Sequence, residues 1–148
     1  MAESLKPMRG VVTAALLLLT VVLILQALGY GIGFFFDPKS GVGEFASPPP
    51  AGDNELTVAL IGLIGVGMLA SAATLTLSAA LVIKRRTAGP FLAMAVGFAY
   101  VLAGGSVLRV GWVWDASFYA GSGALLILLA VALRGLRTPA QRGEEAVQ

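Results

Sequence analysis

The chain has 148 residues, of which 57% are apolar and 12% charged, and it carries a net charge of +2. Globular domains average roughly 45–50% apolar and about 25% charged, so a soluble fold of this sequence would lack polar surface to cover itself. There is no Cys and no His: thiol–disulfide exchange has no reagent, haem has no imidazole ligand and zinc lacks its usual donors. No cofactor, metal site or catalytic residue is expected. At this length a single domain is the starting assumption.

Four apolar blocks follow one another. The first runs from about Val11 to Phe36, with Thr13, Thr20 and Gln26 as its polar side chains. As a helix it reaches about 39 Å, enough for a hydrocarbon core of about 30 Å with some tilt. An outer loop over 37–55 holds Pro48-Pro49-Pro50 and several glycines and is expected to lack regular structure. The second block, Leu56 to Ile83, contains no ionisable group, and Asp53, Asn54 and Glu55 stand at its start as capping and acidic residues. The third, Phe91 to Leu108, follows Gly89-Pro90, which suits a first helical turn. The fourth, Ala116 to Leu133, has Asp115 at its start. Each of the last two is about 18 residues, the short end of a spanning helix, and a short link between them leaves a re-entrant pair as the alternative. The expected fold class is all-α, a polytopic membrane protein with a four-transmembrane-helix bundle and a tail over 134–148.

Charge sets the orientation. Lys6 and Arg9 precede the first span, Lys84-Arg85-Arg86 link the second to the third, and Arg134, Arg137 and Arg142 follow the fourth. Eight of the ten Lys/Arg therefore share one side, which the positive-inside rule makes cytoplasmic. Both termini are expected there, in a multi-pass protein of the cell (plasma) membrane. Phe34-Phe35-Phe36, Trp112, Trp114 and Tyr119 mark the opposite boundary, where amphipathic rings settle between lipid and water. Two other patterns compete with this layout. Ala27-Leu28-Gly29 after a basic start loosely imitates a signal-peptide cleavage site, but the apolar run continues to Phe36, which a cleaved signal does not need. Gly33-Phe-Phe-Phe-Asp37 matches Gly111-Trp-Val-Trp-Asp115 as a repeat would, although aromatic belts and inside charges produce such endings in any even-span protein.

No ionisable residue falls near the middle of a span, which argues against a proton-coupled multidrug exporter and against carboxylate-based chemistry within the membrane. The deep polar residues are Gln26 and Tyr100, at similar depth, read either as the lining of a ligand cavity or as an interhelical hydrogen bond. Arg109 stands on the outer side against the charge trend, with Asp115, Asp37 and Glu55 at similar depth. That set forms either a polar lid with an anion-recognition point or an ion-pair cluster holding the loops. Gly67, Ser71, Thr74 and Ser78 beside Ala70, then Ala93 and Gly97, then Ala120 and Ala124, repeat the small-xxx-small pattern of close helix packing. Gly29, Gly31 and Gly33 lie inside an apolar span with no strand before them, so they are not a phosphate loop. No nucleic-acid motif is present.

Asp53-Asn54-Glu55-Leu56 opening the second helix, and Gly104-Gly105 shortly before Arg109, give the chain a resemblance to small bacterial four-helix membrane proteins of the DoxX-like group. Thr57 stands where that pattern has a basic residue. The resemblance implies a four-helix bundle and no particular activity. The expected function is that of a non-enzymatic accessory or structural subunit, embedded in the lipid bilayer and packing with other membrane protein subunits or as a homo-oligomer. The alternative is a small carrier or binder of an apolar or lipid-like molecule.

Overall fold

The computed structural model describes residues 2–39, 55–108 and 113–136. It is all-α as expected, with no strand among the described residues. Helix α1 is Ala2–Phe36, α2 is Glu55–Ile83, α3 is Ala88–Leu108 and α4 is Val113–Gly135. Among the described residues, four stretches are long and apolar enough to cross a membrane: Pro7–Phe36, Val58–Ile83, Ala88–Ser106 and Trp114–Gly135.

Three of the helices are longer than their apolar blocks. Helix α1 begins at Ala2 rather than near Val11, and α3 and α4 begin at Ala88 and Val113 rather than Phe91 and Ala116. Hydropathy marks the lipid boundary, whereas backbone hydrogen bonding continues past it into water. Helices α3 and α4, with 21 and 23 residues, reach about 32 and 35 Å. Their apolar stretches, Ala88–Ser106 and Trp114–Gly135, have 19 and 22 residues, each enough to cross alone. After α1, Asp37 donates its N–H to the Gly33 carbonyl at 2.8 Å, and Pro38 and Lys39 already have helical backbone. The irregular loop expected over 37–55 therefore does not begin at once. Residues 40–54, with Asp53, Asn54 and the proline run, lie outside the described residues, as do 109–112 and 137–148.

The chain divides into two compact units, Val22–Ala73 and Met1–Val21 with Thr74–Gln148. In the latter, α3 and α4 pack along their length. The buried positions of α4 are Ala116, Tyr119, Gly123, Leu126, Ala130 and Leu133, spaced alternately by three and four residues. That 3.5-residue period is the seam of helices crossing at a shallow left-handed angle. On α3, Ala93, Gly97, Tyr100 and Gly104 form the facing stripe. A Cβ on Gly97 would stand 2.8 Å from the Gly123 carbonyl oxygen, one on Gly123 2.5 Å from that of Gly97, and one on Gly104 2.7 Å from the Ala120 nitrogen. Backbones this close require glycine and gain dispersion contact that lipid tails do not provide.

This seam uses Ala93, Gly97 and Ala120 for packing within the chain, and two of the other small residues lie off it. Ala124 is exposed, because Gly123 is the residue in phase with the stripe, and Gly67 is exposed with nothing within 4 Å of a built Cβ. Ser78 does pack: it is buried and its hydroxyl donates to the Gly89 carbonyl at 2.7 Å, fastening the end of α2 to the start of α3. Other hydroxyls turn back on their own helices, as Thr20 does to the Leu16 carbonyl at 2.7 Å and Ser71 to that of Gly67 at 2.9 Å. A hydroxyl in lipid needs an acceptor, and the carbonyl four residues back is always available.

Within Val22–Ala73 the crossing point is again glycine. A Cβ on Gly65 would meet the Phe35 nitrogen at 2.8 Å and the Gly31 oxygen at 3.1 Å. Phe34 and Ile61 form the buried cluster beside it, flanked by Val58 and Met68. Away from these seams the helices stay apolar: Leu25, Leu63, Leu102 and Leu128 are all at least 65% exposed. In water this would be a severe liability, and in a bilayer it is the expected outer surface.

The α2–α3 turn is the most constrained backbone. The Arg85 N–H reaches the Val82 carbonyl at 2.9 Å and the Arg86 N–H the Leu81 carbonyl at 2.8 Å, the paired bonds of a Schellman helix end. Arg85 occupies the left-handed position with φ 58°, the only non-glycine residue of positive φ among the described residues. Glycine is the usual occupant, and a side chain there costs about 1 kcal/mol.

Candidate functional site

Each candidate residue is held by a helix end or a helix seam. At the outer boundary Asp37 follows α1, Glu55 opens α2 and Asp115 lies in the first turn of α4. All three are exposed. Carboxylates in the first turns of α2 and α4 face the positive ends of the helix dipoles, a stabilising placement by itself. Asp37 also has an interaction of its own. Arg109, the centre of the expected cluster, lies outside the described residues. Asp37 and Glu55 belong to Val22–Ala73 and Asp115 to the other unit, so the four residues are placed singly.

Tyr100 is buried on the α3 stripe, its ring 5.6 Å from that of Tyr119 and tilted against it. Its Cβ is among the atoms a side chain on Gly123 would meet, at 2.9 Å. The absent side chain at Gly123 thus makes room for the base of the Tyr100 ring, and the two tyrosines form an aromatic step within the α3–α4 seam. Gln26 lies in Val22–Ala73, half-buried, with its Oε1 shielded from solvent and an interaction of its own.

At the basic boundary, two features join those the sequence pattern marked. Lys84, Arg85 and Arg86 are exposed on the Schellman turn. The Arg134 guanidinium, in the last turn of α4, sits 3.7 Å above the centroid of the Phe91 ring in the first turn of α3. This cation–π contact fixes a charge that topology alone would leave mobile. Sequence reading took Arg134 as one more inside charge. Neither residue falls on the buried stripes, since Phe91 is exposed and Arg134 follows the buried Leu133, so no periodicity in the sequence signalled the contact. Among the described residues no three of His, Cys, Asp or Glu come together as a metal-binding group would require.

No family model, curated protein or solved structure matches the chain, so the likeness to DoxX-like proteins is not shown by these comparisons.

Proposed function

We propose that this multi-pass membrane protein resides in the plasma membrane with both termini in the cytoplasm and serves as a non-enzymatic accessory or structural subunit. It packs against a partner membrane protein or a second copy of itself. The observation that carries this reading is the division of labour among the glycines. Gly31, Gly65, Gly97, Gly104 and Gly123 are each used at an intrachain crossing, but Gly29 and Gly33, four residues apart on α1, have nothing within 4 Å of a built Cβ. Glycine costs helix stability relative to alanine, about 1 kcal/mol per position. In a membrane helix that cost is commonly offset by close approach of another helix. Unused glycines on a lipid-facing surface therefore favour an external helix as their counterpart.

Native mass spectrometry of the protein extracted in mild detergent tests the reading. The wild type is expected as a defined heteromer or dimer, and Gly29→Leu with Gly33→Leu is expected to release the monomer. A monomeric wild type would sink the subunit reading. If that monomer retained a reproducible small extra mass, the carrier reading would replace it.

A further inference from the structure

We propose that the cytoplasm-side end of α2–α3–α4 is a binding site for the headgroup of an anionic phospholipid, with Lys84, Arg85 and Arg134 as its cations. A topology signal requires only that basic residues lie on one side, and eight of the ten Lys/Arg already do so. It requires no particular geometry. This cluster has one. Arg85 occupies the left-handed position of a Schellman turn, φ 58°, where glycine would fit without strain. A charged side chain stands there against the backbone preference, and the backbone that carries it is fixed by the two hydrogen bonds of the turn. Arg134 is likewise held, its guanidinium 3.7 Å above the Phe91 ring. The stacked guanidinium still presents N–H donors at its edge, the geometry suited to phosphate oxygens.

Position and charge supply the occupant. Phe91 lies three residues into α3, about 5 Å from its start, and Arg134 is one residue from the end of α4, so the pair stands at the ends of two candidate spans. The N-terminus of α3 adds its positive dipole end at the same level. From Leu56 to Trp114 the sequence contains no Asp or Glu, so the turn brings no neutralising carboxylate of its own. Arg86 has an interaction of its own and is not counted among the site's cations. The site lies within a single compact unit, and its test is read on one protomer, so it stands or falls separately from the subunit reading.

The experiment is native mass spectrometry of the full-length protein released from vesicles of equimolar phosphatidylglycerol and phosphatidylcholine, with thermal unfolding of each variant in parallel. The wild type is expected to retain phosphatidylglycerol preferentially. Arg85→Gly removes the charge while leaving the turn its favoured residue, and should lower that retention about fivefold, the effect of one basic residue near an anionic surface, with an unchanged or raised Tm. Arg85→Lys, which keeps the charge, should restore most of it, and Arg134→Gln should lower it again. Equal retention of the two lipids, or undiminished retention by Arg85→Gly, would overturn the proposal. Displacement of the phosphatidylglycerol by inorganic phosphate would also overturn it, assigning the cations to free phosphate.

Discussion

At the scale of single residues, what decides the packing is the absence of side chains. Gly123 and Gly121 are two residues apart on α4 with the same intrinsic helix cost, yet a Cβ on the first would be 2.5 Å from a backbone oxygen and on the second would meet nothing. Gly123→Ala is expected to force the helices apart and lower stability by about 1–3 kcal/mol, the cost of overpacking a close seam. Gly121→Ala should be neutral or slightly stabilising through helix propensity. Unfolding of the two variants in mixed micelles makes the comparison, and equal effects would mean that α3 and α4 do not meet at Gly97 and Gly123. Ser78→Ala belongs to the same scale. It removes the bond to the Gly89 carbonyl at 2.7 Å and should cost about 0.6 kcal/mol, the average for such bonds inside membranes. A Ser78→Thr variant keeps the donor and should recover the loss if its methyl group is accommodated.

At the scale of elements, the helices were legible and their exact partners were not. A run without ionisable groups specifies a spanning helix because lipid leaves the backbone no other way to satisfy its polar groups. No comparable rule selects the inward face, since lipid-facing and protein-facing residues are equally apolar. The small-residue pattern therefore located the α3–α4 seam but chose Ala124 over Gly123, and it included Gly67 on a face of α2 that is open. The 3.5-residue period of Ala116, Tyr119, Gly123 and Leu126 discriminates between adjacent small residues, and composition does not. Arg85 was readable as a charge but not as a left-handed residue, because nothing in Lys-Arg-Arg departs from an ordinary loop. Gln26 and Tyr100 were legible as polar residues within spans; Tyr100 is buried and Gln26 half-buried, and the two belong to different compact units. The outer set around Arg109 rests on 109–112, which lie outside the described residues. The clasp between α3 and α4 can be tested at this scale: Phe91→Leu preserves apolar volume and removes the ring beneath Arg134. It should lower stability by about 0.5–1 kcal/mol, and the loss should be absent when Arg134→Gln is already in place. Additive losses would show that the two side chains do not act as a pair.

At the scale of the whole molecule, the distribution of charge makes a prediction independent of every contact. Eight basic residues lie on one side of the four spans and two, Lys39 and Arg109, on the other. The outer side also carries Asp37, Glu44, Asp53, Glu55 and Asp115, but positive-inside orientation is set by the basic residues. Because the chain has no cysteine, a single introduced thiol reports its own side without background. Gly52→Cys, between the first two spans, should react with a membrane-impermeant maleimide in intact cells, while Ala146→Cys, in the tail, should react only after permeabilisation. Reversal of both would mean that the basic clusters face outward, and the charge argument would fail with them. Labelling of both in intact cells would place the tail opposite the start of the first span, which requires an odd number of crossings. Cleavage near Ala27-Leu28-Gly29 would not produce that result, because it leaves α2, α3 and α4 between the two thiols; labelling of both would mean that one of these three helices does not cross. A protected tail with an accessible loop fits four crossings with the basic ends inside, the arrangement that sends Lys84–Arg86 and Arg134 to the cytoplasmic leaflet.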